Sequence, residues 1–262
     1  MCETCSSPER RKFLQRALMG AVVASMPSWA SGSGPKENDS TEAKFEIKAA
    51  PKATAAVPAA PPTTVAQKVT PDEALQRLLE GNKRFVKSRM YHPNESVEVR
   101  NKLASGQAPF AAILGCADSR VPPEIVFDHG LGDLFVVRVA GNILEDAGSG
   151  SFEYAVEHLG TPLIVVLSHE RCGAVKAAVE TLDAGGEAPG HIAELVRKLK
   201  PAIEKSKASP GDKIDNAVRE NAKRMAAELS GLEPILKEKV DQGKLKVVAM
   251  RYDLDTGAVE VL

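Results

Sequence analysis

Short apolar runs that end in polar residues alternate with longer amphipathic stretches from about residue 69 to the C-terminus. Apolar runs of this length are typical of buried strands, whereas the longer periodic stretches predict helices. The predicted strands lie close to Phe110–Gly115, Leu134–Val139, Leu163–Ser168 and Leu245–Arg251, with Ala258–Leu262 as a hairpin partner or an extended tail. The predicted helices lie close to Pro122–Asp128, Ser151–His158, Cys172–Ala184, His191–Ser206 and Lys213–Leu229. This alternation predicts one α/β domain with a mainly parallel central sheet, right-handed crossovers and helices on both faces.

The clearest helix start is at Thr70, which is followed by Pro71 and Glu73. Thr70 suits the N-cap, Pro71 suits the first helical position, and Glu73 completes a capping box. An apolar stripe then follows one face of the predicted helix. Its members are Leu75, Leu78, Leu79 and Phe85.

Two polar clusters carry the candidate chemistry, and each closes a predicted strand. The first is Cys116-Ala117-Asp118-Ser119-Arg120, and the second is His169-Glu170-Arg171-Cys172-Gly173. Ligands of open α/β sheets bind beyond the carboxyl ends of parallel strands, so both clusters are expected at one crevice.

Thiolate and imidazole are the ligands that zinc favours in proteins. His169 and Cys172, three residues apart at the start of a predicted helix, point the same way. With Cys116 they fill three corners of a tetrahedron, and Asp118, water or substrate is left for the fourth. Two small buried cysteines and a hydrogen-bonded loop histidine are the structural alternative. That alternative gives no reason for an Asp-x-Arg pair beside a thiol.

The two clusters, in this order and spacing, resemble those of the β-class carbonic anhydrases. The resemblance runs from about Val69 to the C-terminus, and it includes the segments 127–142 and 251–257. It implies the fold of that family: a mainly parallel sheet flanked by helices, with an N-terminal helical arm. It also implies one zinc ion per subunit, held by Cys116, His169 and Cys172. The implied reaction is the reversible hydration of CO2 to bicarbonate and a proton, with zinc-bound hydroxide oriented by an Asp118–Arg120 dyad.

Individual residues refine this expectation. Some members of the family close the site at lower pH, and their bicarbonate pocket uses a Trp three residues before the first Cys. This chain has Ile113 at that position. We therefore expect a permanently open site, in which Asp118 is not a metal ligand; Asp118 would be the fourth ligand only in a closed site. Substrate-binding roles are predicted for His129 and Gly173. Many relatives have Gln at the position of His129, in a loop that approaches the site from the partner subunit; a half-exposed loop histidine is the alternative.

The resemblance implies at least a homodimer and leaves dimer or tetramer open. The N-terminal helix is then expected either across the partner subunit or on its own domain. Two other functions stay open at this point. One is a carbon disulfide or carbonyl sulfide hydrolase with the same zinc and dyad, and the other is a non-catalytic, zinc-stabilised interaction domain.

The N-terminus has the features of an export signal. Arg10-Arg11-Lys12-Phe13-Leu14 precedes an apolar stretch at residues 17–26, and Ser28-Trp29-Ala30 offers a cleavage site. The apolar stretch is too short for a membrane span, so residues 1–30 are predicted to be a removable signal peptide. The paired arginines resemble a twin-arginine signal, which implies the twin-arginine machinery as a partner, a location in the periplasm or otherwise outside the cytoplasm, and no stable membrane span after cleavage.

Composition divides the rest of the chain. Residues 31–68 are rich in Ala, Pro, Thr and Lys without apolar periodicity, which predicts a disordered linker. Residues 69–262 form the predicted catalytic domain. Cys2 and Cys5 would leave with the signal peptide, so the two predicted zinc ligands would be the remaining cysteines. The full chain carries a formal net charge of −1, which gives no electrostatic case for nucleic-acid binding.

Overall fold

The computed structural model describes residues 69–262, so the predicted signal peptide and linker lie outside the described residues. Its centre is a five-stranded sheet in the order β2-β1-β3-β4-β5. The first four strands pair in parallel, and β5 pairs antiparallel with β4. The mainly parallel sheet is confirmed, and the C-terminal residues form the hairpin partner. The strands are β1 (Ala111–Gly115), β2 (Leu134–Arg138), β3 (Leu163–His169), β4 (Lys246–Tyr252) and β5 (Val259–Val261).

Helices cover both faces of this sheet. They are α1 (Pro71–Val86), α2 (Val97–Leu103), α3 (Pro123–Val126), α4 (Asp146–Glu157), α5 (Gly173–Asp183), α6 (Ile192–Ser206), α7 (Lys213–Ser230) and α8 (Ile235–Asp241), with a 3₁₀ turn at Ala140–Asn142. Within residues 69–262, no helix has the length and apolar character needed to cross a membrane.

Three helical features were not predicted from the sequence. Helices α2 and α8 have only seven residues each, and α2 buries none of them, so neither gives a long periodic signal in the sequence. Helix α4 begins at Asp146, ahead of the predicted start at Ser151. Its first turns contain Gly148 and Gly150, and glycine is a poor helix former, which conceals the helix in the sequence.

The predicted capping box of α1 is confirmed. The Thr70 side chain accepts a hydrogen bond from the Glu73 N–H at 3.3 Å, and the Glu73 carboxylate accepts one from the Thr70 N–H at 2.8 Å. Leu78 is fully buried against β1 and β3, with the other three stripe residues partly buried in the same cluster. The stripe of α1 therefore packs on its own domain.

Both faces of the central strands are buried. Ala112 and Leu114 of β1 face one apolar cluster, while Ala111 and Ile113 face the other. This two-sided burial explains why the strands read as continuous apolar runs and not as alternating ones. Each large aliphatic side chain buried in this way contributes about 1.5–3 kcal/mol. The strands consequently form a rigid platform whose carboxyl ends have fixed positions.

The register of the sheet brings the two polar clusters to one edge. Gly115, the last residue of β1, lies level with Leu167 of β3 and with Arg138 of β2. Cys116 follows Gly115 directly, and β3 continues to His169. The chain therefore leaves β1 and β3 at neighbouring points on the same edge of the sheet.

Candidate metal centre and active site

Three potential metal ligands meet at the carboxyl ends of β1 and β3. The two sulfurs of Cys116 and Cys172 and a ring nitrogen of His169 all lie within 4.8 Å of one another, and all three residues are buried. The distance between the two sulfurs is 4.0 Å, and neither cysteine forms a disulfide. Two thiols and an imidazole converging in a buried pocket match the ligand set that zinc prefers.

One detail of this geometry differs from the sequence-based expectation. His169 is the last residue of β3 and Cys172 is the N-cap of α5, so the two do not share a helix face. A turn at Glu170 and Arg171 brings them together, and Arg171 adopts the left-handed conformation with φ of 51°. The convergence was correctly predicted, but its cause is a strand-to-helix turn and not helical periodicity.

The ring of His169 is oriented by the backbone. Its Nδ1 lies 2.9 Å from the carbonyl oxygen of Glu170, which can only accept a hydrogen bond. Nδ1 therefore carries the proton, and Nε2 keeps a free lone pair. Among residues 69–262, Nε2 is buried without a hydrogen-bond partner. A buried, unpartnered nitrogen is costly unless a further group binds it, so this atom fits a metal ligand.

The contact between the two thiols shifts their pKa values in opposite directions. The hydrogen bond with Cys172, together with the backbone N–H of Gly141, lowers the pKa of Cys116 below its ordinary value. The same contact with Cys116, together with burial, raises the pKa of Cys172 above its ordinary value. Cys116 is thus the more acidic thiol of the pair, and a cation placed between the sulfurs would favour ionisation of both.

Asp118 and Arg120 form a close ion pair beside these ligands. Arg120 donates from Nε and Nη2 to the two carboxylate oxygens of Asp118, at 2.9 and 2.7 Å. These bonds hold the pKa of Asp118 well below its usual range. One of the carboxylate oxygens lies 3.7 Å from Nε2 of His169, so the pair borders the metal ligands. We call Cys116, Asp118, Arg120, His169 and Cys172 the strand-end site.

Arg138 supports the strand-end site and was not singled out from the sequence. Its guanidinium donates to the carbonyl oxygen of Cys116 at 2.9 Å and to that of Asp118 at 2.6 Å. The available signal was a single charged residue at the end of the apolar run that forms β2. Gly141 was missed in the same way: its backbone N–H donates to the sulfur of Cys116 at 3.3 Å.

The other predicted residues occupy different places. Gly173 is the first residue of α5, next to Cys172, and no atom lies within 4 Å of the point where a Cβ would be. His129 packs edge-on against Phe110, with ring centroids 4.8 Å apart, and its Nδ1 lies 3.6 Å from a carboxylate oxygen of Asp133. Phe110 precedes β1, whereas the strand-end site follows β1. His129 is therefore at the opposite edge of the sheet from the site of its own chain.

Comparison with known sequences points to one family of enzymes. A sequence model described as carbonic anhydrase matches residues 111–259. "Carbonic anhydrase 2" of Mycobacterium tuberculosis is 42% identical over 187 residues, which cover 71% of this chain and 90% of that protein. A carbonic anhydrase of Mycolicibacterium smegmatis is 39% identical over 191 residues, covering 73% of this chain and 93% of that protein.

Solved structures show the same similarity. The β-carbonic anhydrase CcaA superposes with a TM-score of 0.58 and 26% identity, covering 71% of this chain and 94% of that chain. A β-carbonic anhydrase of the ascomycete Sordaria macrospora, described as tetrameric, superposes with a TM-score of 0.56 and 25% identity, covering 72% of this chain and 96% of that chain.

Proposed function

Because the chain belongs to the carbonic anhydrase family, and within it to the β class, we infer that it catalyses the reversible hydration of CO2 to bicarbonate and a proton. The observation that carries this function is the strand-end site, where three buried donor atoms within 4.8 Å of one another lie beside an intact Asp118–Arg120 pair. The similar proteins named carbonic anhydrase favour this reaction over a carbon disulfide hydrolase or a non-catalytic zinc domain.

We propose that Cys116, His169 and Cys172 hold one zinc ion per subunit. Their donor set, their burial and the unpartnered Nε2 of His169 support this assignment. Bound there, zinc supplies a Lewis acid that lowers the pKa of a water molecule, so that a nucleophile is available near neutral pH.

Asp118 and Arg120 would act on the reacting water and CO2. Because Arg120 holds Asp118 ionised, the carboxylate is a hydrogen-bond acceptor only and cannot donate a proton. Asp118 then accepts a hydrogen bond from the reacting water. This bond turns a lone pair of the water oxygen towards CO2. Arg120 keeps the carboxylate directed away from the metal ligands. This arrangement, together with Ile113 in place of Trp, supports a permanently open site in which Asp118 does not bind the metal.

The experiment that tests this function measures CO2 hydration by stopped flow on protein whose zinc content has been determined. We expect activity that depends on one equivalent of zinc. The Asp118→Asn variant keeps the shape of the side chain and should retain zinc while turnover falls at least about 100-fold. Full activity in that variant would contradict the role of Asp118. Absence of stoichiometric zinc from active, unstripped protein would contradict the metal assignment.

A homo-oligomer is the second part of the proposal. The similar Sordaria structure is described as tetrameric, and β2 is an edge strand whose apolar residues remain partly exposed in a single chain. His129 reaches substrate only from a second copy, because within its own chain it lies at the opposite edge of the sheet. Light scattering after gel filtration should give a dimer or tetramer, and a monomer with full activity would exclude a substrate contact by His129.

We also propose export, on the evidence of the N-terminal sequence alone. The twin arginines at Arg10 and Arg11, the apolar stretch and the small residues around Trp29 support a twin-arginine signal peptide. Folding before export would protect the thiols of Cys116 and Cys172 by metal binding in an oxidising compartment. Replacing both arginines by lysine should retain the protein in the cytoplasm, as measured by cell fractionation. Equal export of this variant would contradict the twin-arginine route.

A further inference from the structure

The turn after β2 supplies a hydrogen bond to one of the metal-ligand sulfurs. Gly141 lies in the 3₁₀ turn Ala140–Asn142 and has a φ of +74°. In this conformation its N–H points at the sulfur of Cys116, at 3.3 Å. A Cβ at Gly141 would lie 3.2 Å from a Leu199 methyl group and 3.4 Å from the Ala174 Cβ. The left-handed backbone of Gly141 and its close packing against Leu199 and Ala174 together keep its N–H directed towards Cys116.

A side chain from a distant helix holds this glycine. Asn221 lies in α7, is 1% exposed, and donates from Nδ2 to the carbonyl oxygen of Gly141 at 2.9 Å. Among residues 69–262, Oδ1 of Asn221 is buried without a hydrogen-bond partner. Within the described part of the chain, the bond to Gly141 is thus the only hydrogen bond of the Asn221 side chain. Glycine has more backbone rotational freedom than any other residue. The hydrogen bond from Asn221 to the Gly141 carbonyl oxygen therefore also restricts the direction of the Gly141 N–H.

We propose that Asn221 is a positioning residue of the metal centre, which holds Gly141 so that its N–H stays directed at the Cys116 sulfur. This inference rests on the proposed function, because it concerns a metal bound by that sulfur. A hydrogen bond to a thiolate draws electron density from the sulfur and reduces what it donates to the metal. Asn221 would therefore influence how much electron density the Cys116 sulfur donates to the metal, although Asn221 lies outside both sequence motifs.

Asn82 provides a matched comparison within the same domain. It is also buried, at 5% exposure, and also donates to backbone carbonyls, those of Val126 and Gly257. Among the hydrogen bonds within residues 69–262, none joins Val126 or Gly257 to a residue of the strand-end site. Loss of Asn82 should therefore destabilise the fold without changing the metal ligands, whereas loss of Asn221 should change both.

The test uses cobalt(II), which occupies tetrahedral thiolate sites and, unlike zinc, has a sulfur-to-metal charge-transfer absorption. In full-length Asn221→Leu and Asn221→Ser proteins, the thiolate loses its directed N–H and its electrons lie higher in energy. We expect the charge-transfer band to move to longer wavelength. We also expect the zinc dissociation constant, measured by chelator competition, to rise about 10-fold, because the loop that fixes the Cys116 sulfur is no longer held and this loss of positioning outweighs the stronger donation by the sulfur. Asn82→Leu should leave the band and the zinc affinity unchanged.

Each outcome decides one question. An unchanged band and affinity in a folded Asn221 variant, or an equal change in Asn82→Leu, would overturn the positioning role. The serine variant, which leaves a smaller polar group in place of the amide, serves if the leucine variant fails to fold. Wild-type protein without any thiolate-to-cobalt band would instead overturn the proposed metal site, so failure of the inference is distinguishable from failure of the function.

Discussion

Arg120 binds both carboxylate oxygens of Asp118, from Nε at 2.9 Å and from Nη2 at 2.7 Å, and its backbone N–H adds a third bond at 3.0 Å. A planar guanidinium that engages a carboxylate in this way fixes its plane as well as its charge. The carboxylate is consequently held at the border of the metal ligands and not among them. In the proposed metal site, this pair would decide whether Asp118 competes with water for the metal.

Replacing Arg120 by Gln should release this carboxylate. Because Asp118 can then turn towards the metal ligands, we expect kcat/KM for CO2 hydration to fall about 100-fold while zinc content is kept, a loss typical of a misplaced reacting group. Arg197→Gln is the matched control, since Arg197 is also exposed and makes the same two-point contact with the carboxylate of Glu194 within α6. Wild-type kinetics in Arg120→Gln, or an equal loss in the control, would contradict the assignment.

Arg138 should affect activity more than stability. Its side chain bonds the carbonyl oxygens of Cys116 and Asp118, yet the residue itself is exposed. Each such charged hydrogen bond is worth about 1.5 kcal/mol, so the loss of both in Arg138→Gln should lower kcat/KM on the order of 100-fold. Arg138→Lys should retain part of the activity, because an ammonium reaches one carbonyl but does not bridge two. A thermal shift as large as that of a core variant would indicate a purely structural role.

Gly81 is a site where α1 tolerates no side chain. A Cβ there would lie 1.7 Å from the carbonyl oxygen of Phe127. We expect Gly81→Ala to lower the free energy of unfolding by about 2 kcal/mol or more, as overpacking commonly does. Gly150→Ala, in α4 with open space around the Cβ position, should instead raise it by about 0.5–1 kcal/mol. Denaturant titration of both variants measures this contrast, and equal effects would refute it.

Asp128 should make the domain acid-sensitive. Burial raises its pKa, but Arg84, at 2.5 Å, and the N–H groups of Tyr91 and His92 outweigh burial and lower it. Because the unfolded chain then binds protons more readily, this carboxylate stabilises the fold above about pH 4 and loses that effect as the pH falls further.

The Asp128→Asn variant removes this titration. It should be less stable than wild type at neutral pH and should show a shallower loss of stability between about pH 5 and pH 2. Unfolding at a series of pH values measures the two slopes. Parallel curves for wild type and variant would show that Asp128 does not contribute to the acid sensitivity.

Metal removal should expose the two buried thiols chemically. In native protein, Cys116 and Cys172 should resist alkylation, because they are buried and because the proposed metal would bind both sulfurs. After treatment with a chelator both should be labelled, as located by peptide mass spectrometry, which separates them from Cys2 and Cys5. Equal labelling with and without the chelator would count against metal protection.

The sequence by itself determined the succession of strands and helices along the chain, the capping box at Thr70 and the chemical identity of the strand-end site. These features depend on spacing within a few residues, and such local patterns are fixed by backbone geometry. Even the meeting of Cys116 with Cys172, 56 residues apart, follows because parallel strands end at a common edge.

Only the tertiary structure decided what surrounds that site. The hydrogen bonds from Gly141 and Arg138 to the Cys116 loop, the contact of Asn221 with Gly141, and the position of His129 at the opposite edge all depend on packing between distant elements. A side-chain amide on α7 carries no sequence signal for a carbonyl 80 residues away. The reason is physical: local propensity sets which elements form, but the packing of the completed core sets which polar groups meet.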